Sequence, residues 1–234
     1  MLLEHDLSVT LHARAARIWQ HRERIEREAA TLFEDLGHQL AAHGDVELGG
    51  RALAAARDEI RHAARCRELV ASLAGPCPSA EPARAIALGP ANAPARDRVL
   101  YAAVALGCVT ESLSCALLLA LREAATHPHV RATIDEVLAD EIEHARIGWA
   151  VLAAEAARRD VGWLAQFLPA MVAAAVDEDV EPMAGDDELA GLGVLPRPHV
   201  QRLVSETWAS VIGPGLDRYG IAVPSVAWPR RSGD

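Results

Sequence analysis

The chain has 234 residues, of which 51% are hydrophobic and 4% aromatic, and its formal net charge is −10. This apolar fraction is enough for a substantial core, so we expect one domain over residues 1–234. The acidic excess argues against a nucleic-acid-binding protein, because phosphate backbones are bound by clustered Lys and Arg. Alanine and leucine dominate while β-branched and aromatic residues are scarce, which predicts an all-α fold.

Two long helices are predicted first, over residues 10–43 and 51–74. Gly44-Asp45 and Gly49-Gly50 mark a short turn between them. Because short loops join antiparallel neighbours, these helices should form a hairpin. The first helix carries charged residues on one side and an apolar stripe on the other. That stripe comprises Ile18, Ile25, Leu32, Leu36 and Leu40.

A proline-rich stretch over residues 74–97 separates this hairpin from a second one. It contains five prolines, a density that no helix tolerates, and predicts a long crossover from one end of a bundle to the other. Helices over 98–126 and 128–159 follow, so residues 10–160 should form a four-helix bundle. The apolar run over 99–121 has the length of a membrane span, but the central Glu111 favours a buried bundle helix. We therefore expect no membrane segment.

The last part of the chain predicts additional helices over residues 161–220 and a loose tail over 221–234. These helices should pack across the bundle or form a homodimer surface. The four cysteines form no CxxC pair, and the N-terminus lacks the basic-then-apolar order of a signal peptide. We therefore expect reduced thiols and a cytoplasmic location.

The most informative feature is a repeated motif. Residues 58–63 read Asp-Glu-Ile-Arg-His-Ala and residues 140–145 read Asp-Glu-Ile-Glu-His-Ala, so five of six positions agree. On a helix, Glu-x-x-His places both side chains on one face about a turn apart, where they can hold one edge of a metal ion. Two such pairs, each joined by a further buried Glu, make a two-metal carboxylate site inside a four-helix bundle.

Two further glutamates complete the predicted ligand set. Glu111 lies on an apolar helix face, thirty residues before Glu141. A buried lone carboxylate is costly unless it is neutralised, and no Lys or Arg lies nearby in sequence on these faces. By the same spacing, Glu28 lies thirty-one residues before Glu59, whereas its competitor Glu26 lies thirty-three before it. The apolar stripe does not separate the two, and we choose Glu28 on spacing. The predicted ligands are Glu28, Glu59, His62, Glu111, Glu141 and His144.

The chemistry around these ligands can also be predicted. A ligating His normally donates its second N–H to a carboxylate, and we expect Asp58 to serve His144 and Asp140 to serve His62. Four carboxylates and two imidazoles suit iron or manganese better than zinc. The small residues near the ligands either leave an apolar substrate channel, lined also by Cys66 and Cys115, or allow close helix packing. These small residues are Ala55, Ala56, Gly107, Cys108 and Gly148.

In the order Glu, Glu-x-x-His, long crossover, Glu, Glu-x-x-His, the chain resembles the ferritin-like di-iron carboxylate superfamily over about residues 10–160. Residues 28–33, Glu-Ala-Ala-Thr-Leu-Phe, resemble the first-ligand helix of some members, and the repeated Asp-Glu-x-x-His-Ala is similar to bacterial ferritin-like domain proteins. The resemblance implies two iron ions, with a Mn/Fe or Mn/Mn pair as alternatives. It implies that Glu59 and Glu141 bridge the metals, that Glu28 and Glu111 are terminal ligands, and that His62 and His144 bind one metal each.

The resemblance implies an O₂-activating oxidoreductase that acts on a small organic substrate, served by an electron-donor protein. The chain lacks the Cys pairs of a rubredoxin domain, which argues against a rubrerythrin. Its C-terminal helices and long crossover argue against an iron-storage cage. Two alternatives stay open: a ferroxidase or iron-binding protein, and a non-enzymatic helical bundle stabilised by metal.

Overall fold

A computed structural model describes residues 2–75, 89–176 and 187–223, and the regular elements in these ranges are helices. The predicted all-α class is therefore confirmed. Four long helices come first: α1 (Leu2–Ala42), α2 (Val46–Ala74), α3 (Ala95–Ala124) and α4 (Pro128–Ala156). A 3₁₀ turn (Gly162–Phe167), α5 (Leu168–Ala175), α6 (Asp187–Gly191) and α7 (Arg197–Thr207) follow, and a π-helical turn (Trp208–Ile212) leads into α8 (Gly213–Asp217).

The turn between α1 and α2 is shorter than the glycines predicted. Gly44 takes a φ of +91°, and α2 begins at Val46, so Gly49 and Gly50 lie inside the helix. Gly49 is buried against α1, where a Cβ atom would lie 2.8 Å from the carbonyl oxygen of Gly37. Glycine is needed at this position because the two backbones touch, and it does not mark a turn.

Helix α3 forms the centre of the structure and changes its winding on the way. Residues Val104–Glu111 are π-helical, and the Thr110 hydroxyl donates to the carbonyl of Ala105 at 3.0 Å. Short π-helical stretches inside α-helices occur frequently at functional sites. By length and composition α3 could cross a membrane, but 61% of its most apolar stretch is buried inside the protein. It is the core helix that the sequence predicted.

Helices α3 and α4 meet at a pair of glycines. A Cβ atom on Gly148 would lie 2.6 Å from the Ala103 carbonyl oxygen, and one on Gly107 would lie 2.6 Å from the Gly148 Cα. These two small residues therefore serve close helix packing. Of the two interpretations of this pair given above, the structure selects packing over a channel.

The end of α4 is tied to the start of α3 by a buried carboxylate. Glu155 accepts hydrogen bonds from Arg96 at 2.9 Å and from Arg159 at 2.7 Å, and it also pairs with Arg158. Burial alone would raise the pKa of Glu155, but Arg96 and Arg159 outweigh it and lower that pKa to about 2. Glu155 is therefore ionised, and its ion pairs connect the two helices.

The C-terminal helices pack back onto the same chain. Helix α7 lies against α3, and the Trp19 indole N–H of α1 donates to the Leu192 carbonyl at 3.0 Å. Trp208 and Ile212 are buried in the core cluster that also contains the π-helical part of α3. Most of the crossover predicted over 74–97 and of the tail predicted over 221–234 lies outside the described residues.

Candidate metal site

Two Glu-x-x-His pairs meet face to face in the interior. Glu59 and His62 come from α2, Glu141 and His144 come from α4, and their side chains are at most 2% exposed. His144 Nδ1 lies 2.9 Å from Glu59 Oε1 and 3.3 Å from Glu141 Oε2. His62 Nδ1 lies 3.2 Å from Glu59 Oε2 and 3.8 Å from Glu141 Oε1. Each carboxylate therefore faces both imidazoles, whose ring centroids are 5.7 Å apart.

Two more buried glutamates reach this centre. Glu111, the last residue of the π-helical stretch, is buried near Glu141 and Glu59, whose charges help to raise its pKa. Glu26 from α1 brings a carboxylate oxygen to the centre, where ligand atoms of Glu26, Glu59, His62 and Glu141 all lie within 4.8 Å of one another. These four could hold a metal ion, with Glu111 and His144 adjoining them.

The structure brings Glu26 to this centre, where the spacing argument had favoured Glu28. Glu28 is buried too, but its carboxylate pairs with Arg24 at 3.5 Å. Two residues further along an α-helix is more than half a turn around it, so the two glutamates cannot share a face. The prediction of Glu28 is corrected to Glu26.

The sequence of α1 does contain a signal for Glu26. The fully buried side of α1 has a seven-residue spacing: Trp19, Glu26, Phe33 and Leu40 are each at most 4% exposed. Ile18 and Ile25, which defined the predicted stripe, are only half-buried. Leu36 and Leu40 belong to the buried side as predicted. Choosing the large side chains Trp19 and Phe33 as the reference face would have selected Glu26.

A partly buried arginine also belongs to the site. Arg22, one turn before Glu26, donates to the Glu26 carboxylate at 3.0 Å and to the Ser114 hydroxyl at 3.3 Å. Its guanidinium lies 5.9 Å from the centre of the Trp19 ring. The absence of nearby basic residues was expected for Glu59, Glu111 and Glu141, and Glu26 differs from them in having a basic partner on its own helix. It holds one partner in Arg22 and turns towards the other carboxylates as well.

The predicted crossed pairing of aspartates and histidines is present in the structure. His62 Nε2 lies 3.0 Å from Asp140 Oδ2, and His144 Nε2 lies 3.5 Å from Asp58 Oδ2. Arg61 was not predicted, yet it joins the two aspartates, donating to Asp58 at 2.8 Å and to Asp140 at 2.6 Å. With an N–H directed at each aspartate, each imidazole presents Nδ1 to the centre.

The buried charges perturb one another strongly. Burial alone would lower the pKa of His62 and His144, because desolvation opposes protonation, but Glu59 and Glu141 outweigh it and raise these pKa values to about 9 and about 10. Burial would raise the pKa of Glu59, but the two imidazoles lower it to about 2. Burial and the neighbouring carboxylates raise the pKa of Glu111 well above its ordinary value. A cation bound here would displace the protons that otherwise balance these charges.

A cavity of about 300 Å³, partly open to solvent, reaches the carboxylates. Glu26, Glu59, Glu111 and Glu141 lie at its inner end, and its walls come from α1, α3, the segment 193–195 and α7. Among the residues described as lining it, none is Cys66 or Cys115, and none is a small residue of the predicted channel. The cavity lies instead beside the segment 193–195 and helix α7.

The arrangement can bind a cation through hard carboxylate oxygens and borderline imidazole nitrogens beside an apolar space. Neither a protein-family model nor the sequence of a characterised protein matches this chain.

Proposed function

We propose that this protein is a ferritin-like four-helix bundle with a dinuclear metal site, taken to be di-iron, that activates O₂ to oxidise a small organic substrate. The observation that carries the proposal is the apolar cavity, which ends on the carboxylates of the site. A bundle that used metal only for stability would have no need for a ligand-sized space there. An electron-donor protein and a homodimeric state are part of the same proposal.

The residues present fit a two-metal site. One position would be held by Glu26 and His62, the other by Glu111 and His144, with Glu59 and Glu141 shared between them. The Glu59 Oε1 atom is buried 2.9 Å from His144 Nδ1, yet it makes no well-aligned hydrogen bond. A buried carboxylate oxygen without a well-aligned donor is costly, and a cation held by the shared carboxylates would satisfy it.

When bound, the metal pair would supply the redox chemistry and the O₂ binding, and the protein supplies the geometry. Asp140 and Asp58 hold the imidazole N–H groups and so aim the Nδ1 lone pairs at the centre. Arg22 holds Glu26 at the boundary between the centre and the cavity. The aliphatic walls keep water away from the reacting groups and leave room for an apolar substrate.

The test is to load the apoprotein with Fe(II) under argon, count the bound iron, and then record absorbance as O₂ is admitted. We expect about two irons per chain and a new near-ultraviolet band that forms on oxidation. The matched variants are Glu141→Gln, which removes a shared ligand, and Glu143→Gln, an exposed position two residues further along α4. Iron binding should fall in the first variant and be unchanged in the second.

Other outcomes would redirect the proposal. Repeated turnover of Fe(II) with O₂, in a large oligomer measured by light scattering, would favour the ferroxidase. Metal that raises thermal stability but does not react with O₂ would favour the non-enzymatic bundle. Equal iron binding by Glu141→Gln and the parent protein would show that iron is not bound at this site.

A further inference from the structure

The cavity has two chemically different ends. Its inner end is the carboxylate cluster. Its outer end can be located through Trp19, whose indole N–H is bonded to the Leu192 carbonyl and whose ring meets Gly193. Trp19 is seven residues before Glu26 on α1, so this end lies about 10 Å from the cluster along the helix axis.

Helix α7 covers the cavity between these two ends. Val200 and Leu203 near its start pack with Trp19 and the second half of α3. Trp208, just beyond its last residue, is buried in the core cluster that also contains the π-helical stretch leading to Glu111. Helix α7 therefore runs inward from Arg197 at the outer end to Thr207, and both of these residues line the cavity.

Arg197 is the cation at the outer end. It is half-buried, it lines the cavity, and no ion-pair partner is seen for it in the part of the chain that the structure describes. It also stands in the first turn of α7, where the helix dipole disfavours a positive charge. The other arginine on the wall, Arg22, is already paired with Glu26. Of the two arginines that line the cavity, Arg197 is therefore the one that can pair with a bound anion.

We propose that the cavity binds a medium-chain aliphatic carboxylate, with its carboxylate on Arg197 and its alkyl end at the metal centre. This inference rests on the proposed function for its reaction, but not for its binding. The orientation follows from the placement of the arginines, because Arg197 at the outer end is available to a carboxylate whereas Arg22 at the inner end is already paired with Glu26. The walls between are mostly aliphatic, which suits an alkyl chain.

The length of the ligand follows from the dimensions of the site. C–C bonds of about 1.5 Å in a zigzag advance a chain by about 1.3 Å per carbon. A span of about 10 Å then takes about eight carbons, and the carboxyl group that meets Arg197 extends the ligand to about 8–10 carbons. Decanoate is the probe with this length.

The experiment measures decanoate binding to the metal-free protein by calorimetry, and by the fluorescence of Trp19 and the other tryptophans. We expect one decanoate per chain. Arg197→Gln should weaken decanoate by about tenfold, since it removes a charge-assisted hydrogen bond, and should leave neutral 1-decanol unchanged. The matched control is Arg202→Gln, on the outer face of α7 and paired with Glu206, which should leave both unchanged. Hexanoate and palmitate should bind more weakly than decanoate.

A second pair of variants tests the location without altering charge. Ala116→Phe places a ring in the cavity and should abolish binding of both decanoate and decanol, whereas Leu119→Phe, at an exposed position on the same helix, should not. Undiminished decanoate binding in Arg197→Gln or in Ala116→Phe would overturn the proposal, as would no binding by the parent protein. Because these measurements use metal-free protein, their results are independent of the iron test. Decanoate binding by a protein that binds no iron would contradict the proposed function and leave the proposed ligand in place.

Discussion

The glycine contact between α3 and α4 gives a prediction whose sign can be worked out from the structure. In Gly148→Ala the new Cβ would lie 2.6 Å from both the Ala103 carbonyl oxygen and the Cys108 nitrogen, and 2.7 Å from the Gly107 Cα. All of these are backbone atoms, so the clash can be relieved only by moving a helix. Over-packing of this kind costs about 3 kcal/mol, and the better helix propensity of alanine returns about 1 kcal/mol. We therefore expect Gly148→Ala to lower the free energy of unfolding by about 2 kcal/mol.

Gly50→Ala is the matched control for this change. Gly50 also lies inside a helix, but a Cβ there would meet no heavy atom within 4 Å. Only the propensity gain applies, so Gly50→Ala should raise the free energy of unfolding by about 0.5–1 kcal/mol. Urea denaturation followed by circular dichroism measures both variants, with equal m-values as the condition for comparison. Gly148→Ala protein as stable as the parent, or more stable, would refute the close backbone contact.

The same variant should also damage the metal site. Gly148 lies one turn after His144, and Gly107 lies one turn before Glu111, so separating the helices pulls these ligands apart. We expect iron binding to weaken in Gly148→Ala and to be unaffected in Gly50→Ala.

Three other predictions concern single side chains. Glu26→Gln should weaken metal binding more than 100-fold, because losing a ligand has a larger effect than the roughly 10–100-fold effect of losing an outer partner. Glu28→Gln should keep two metals per chain, measured by metal analysis after desalting. The reverse result would restore Glu28 as the ligand. Arg61→Gln should weaken metal affinity by about tenfold in competitive titration, and Arg57→Gln, at an exposed position, should not. Equal effects would show that the hydrogen bonds from Arg61 to the two aspartates do not contribute to metal affinity. Glu155→Gln should cost about 1–3 kcal/mol of stability at pH 7. Since the folded-state pKa of Glu155, about 2, is below its ordinary 4.5, its contribution is full above pH 4.5 and fades as pH falls towards 2; urea midpoints that differ equally at pH 7 and pH 3 would contradict this.

Local pattern was enough to predict the parts of the site that lie on one helix. The spacing within each Glu-x-x-His is fixed by the helical repeat, so Glu59 and His62 share a face wherever α2 packs. The repetition of the motif then placed Glu141 and His144 opposite them, and even the crossed aspartates followed from the chemistry of a ligating histidine. These predictions needed no knowledge of how the helices are arranged in detail.

Features that depend on packing between distant segments were not predictable in the same way. The choice between Glu26 and Glu28 depends on how α1 is rotated against its neighbours, and that rotation is set by Trp19 and Phe33 entering the core. The cavity depends on the C-terminal segment, which is held to α1 by a contact between Trp19 and Leu192 across 173 residues. No local period in the sequence records such a contact.

The one position at which the two motifs differ shows how a small sequence change breaks the symmetry of the site. Arg61 donates to both aspartates, whereas its counterpart Glu143 faces solvent. Burial would raise the pKa of Asp140, but His62 and Arg61 outweigh it and lower that pKa, so Asp140 stays a charged acceptor. The bond from His62 to Asp140 is also the shorter of the crossed pair, at 3.0 Å against 3.5 Å. We therefore expect His62 to be held more firmly than His144, so that two metal positions built from nearly identical motifs would differ in affinity.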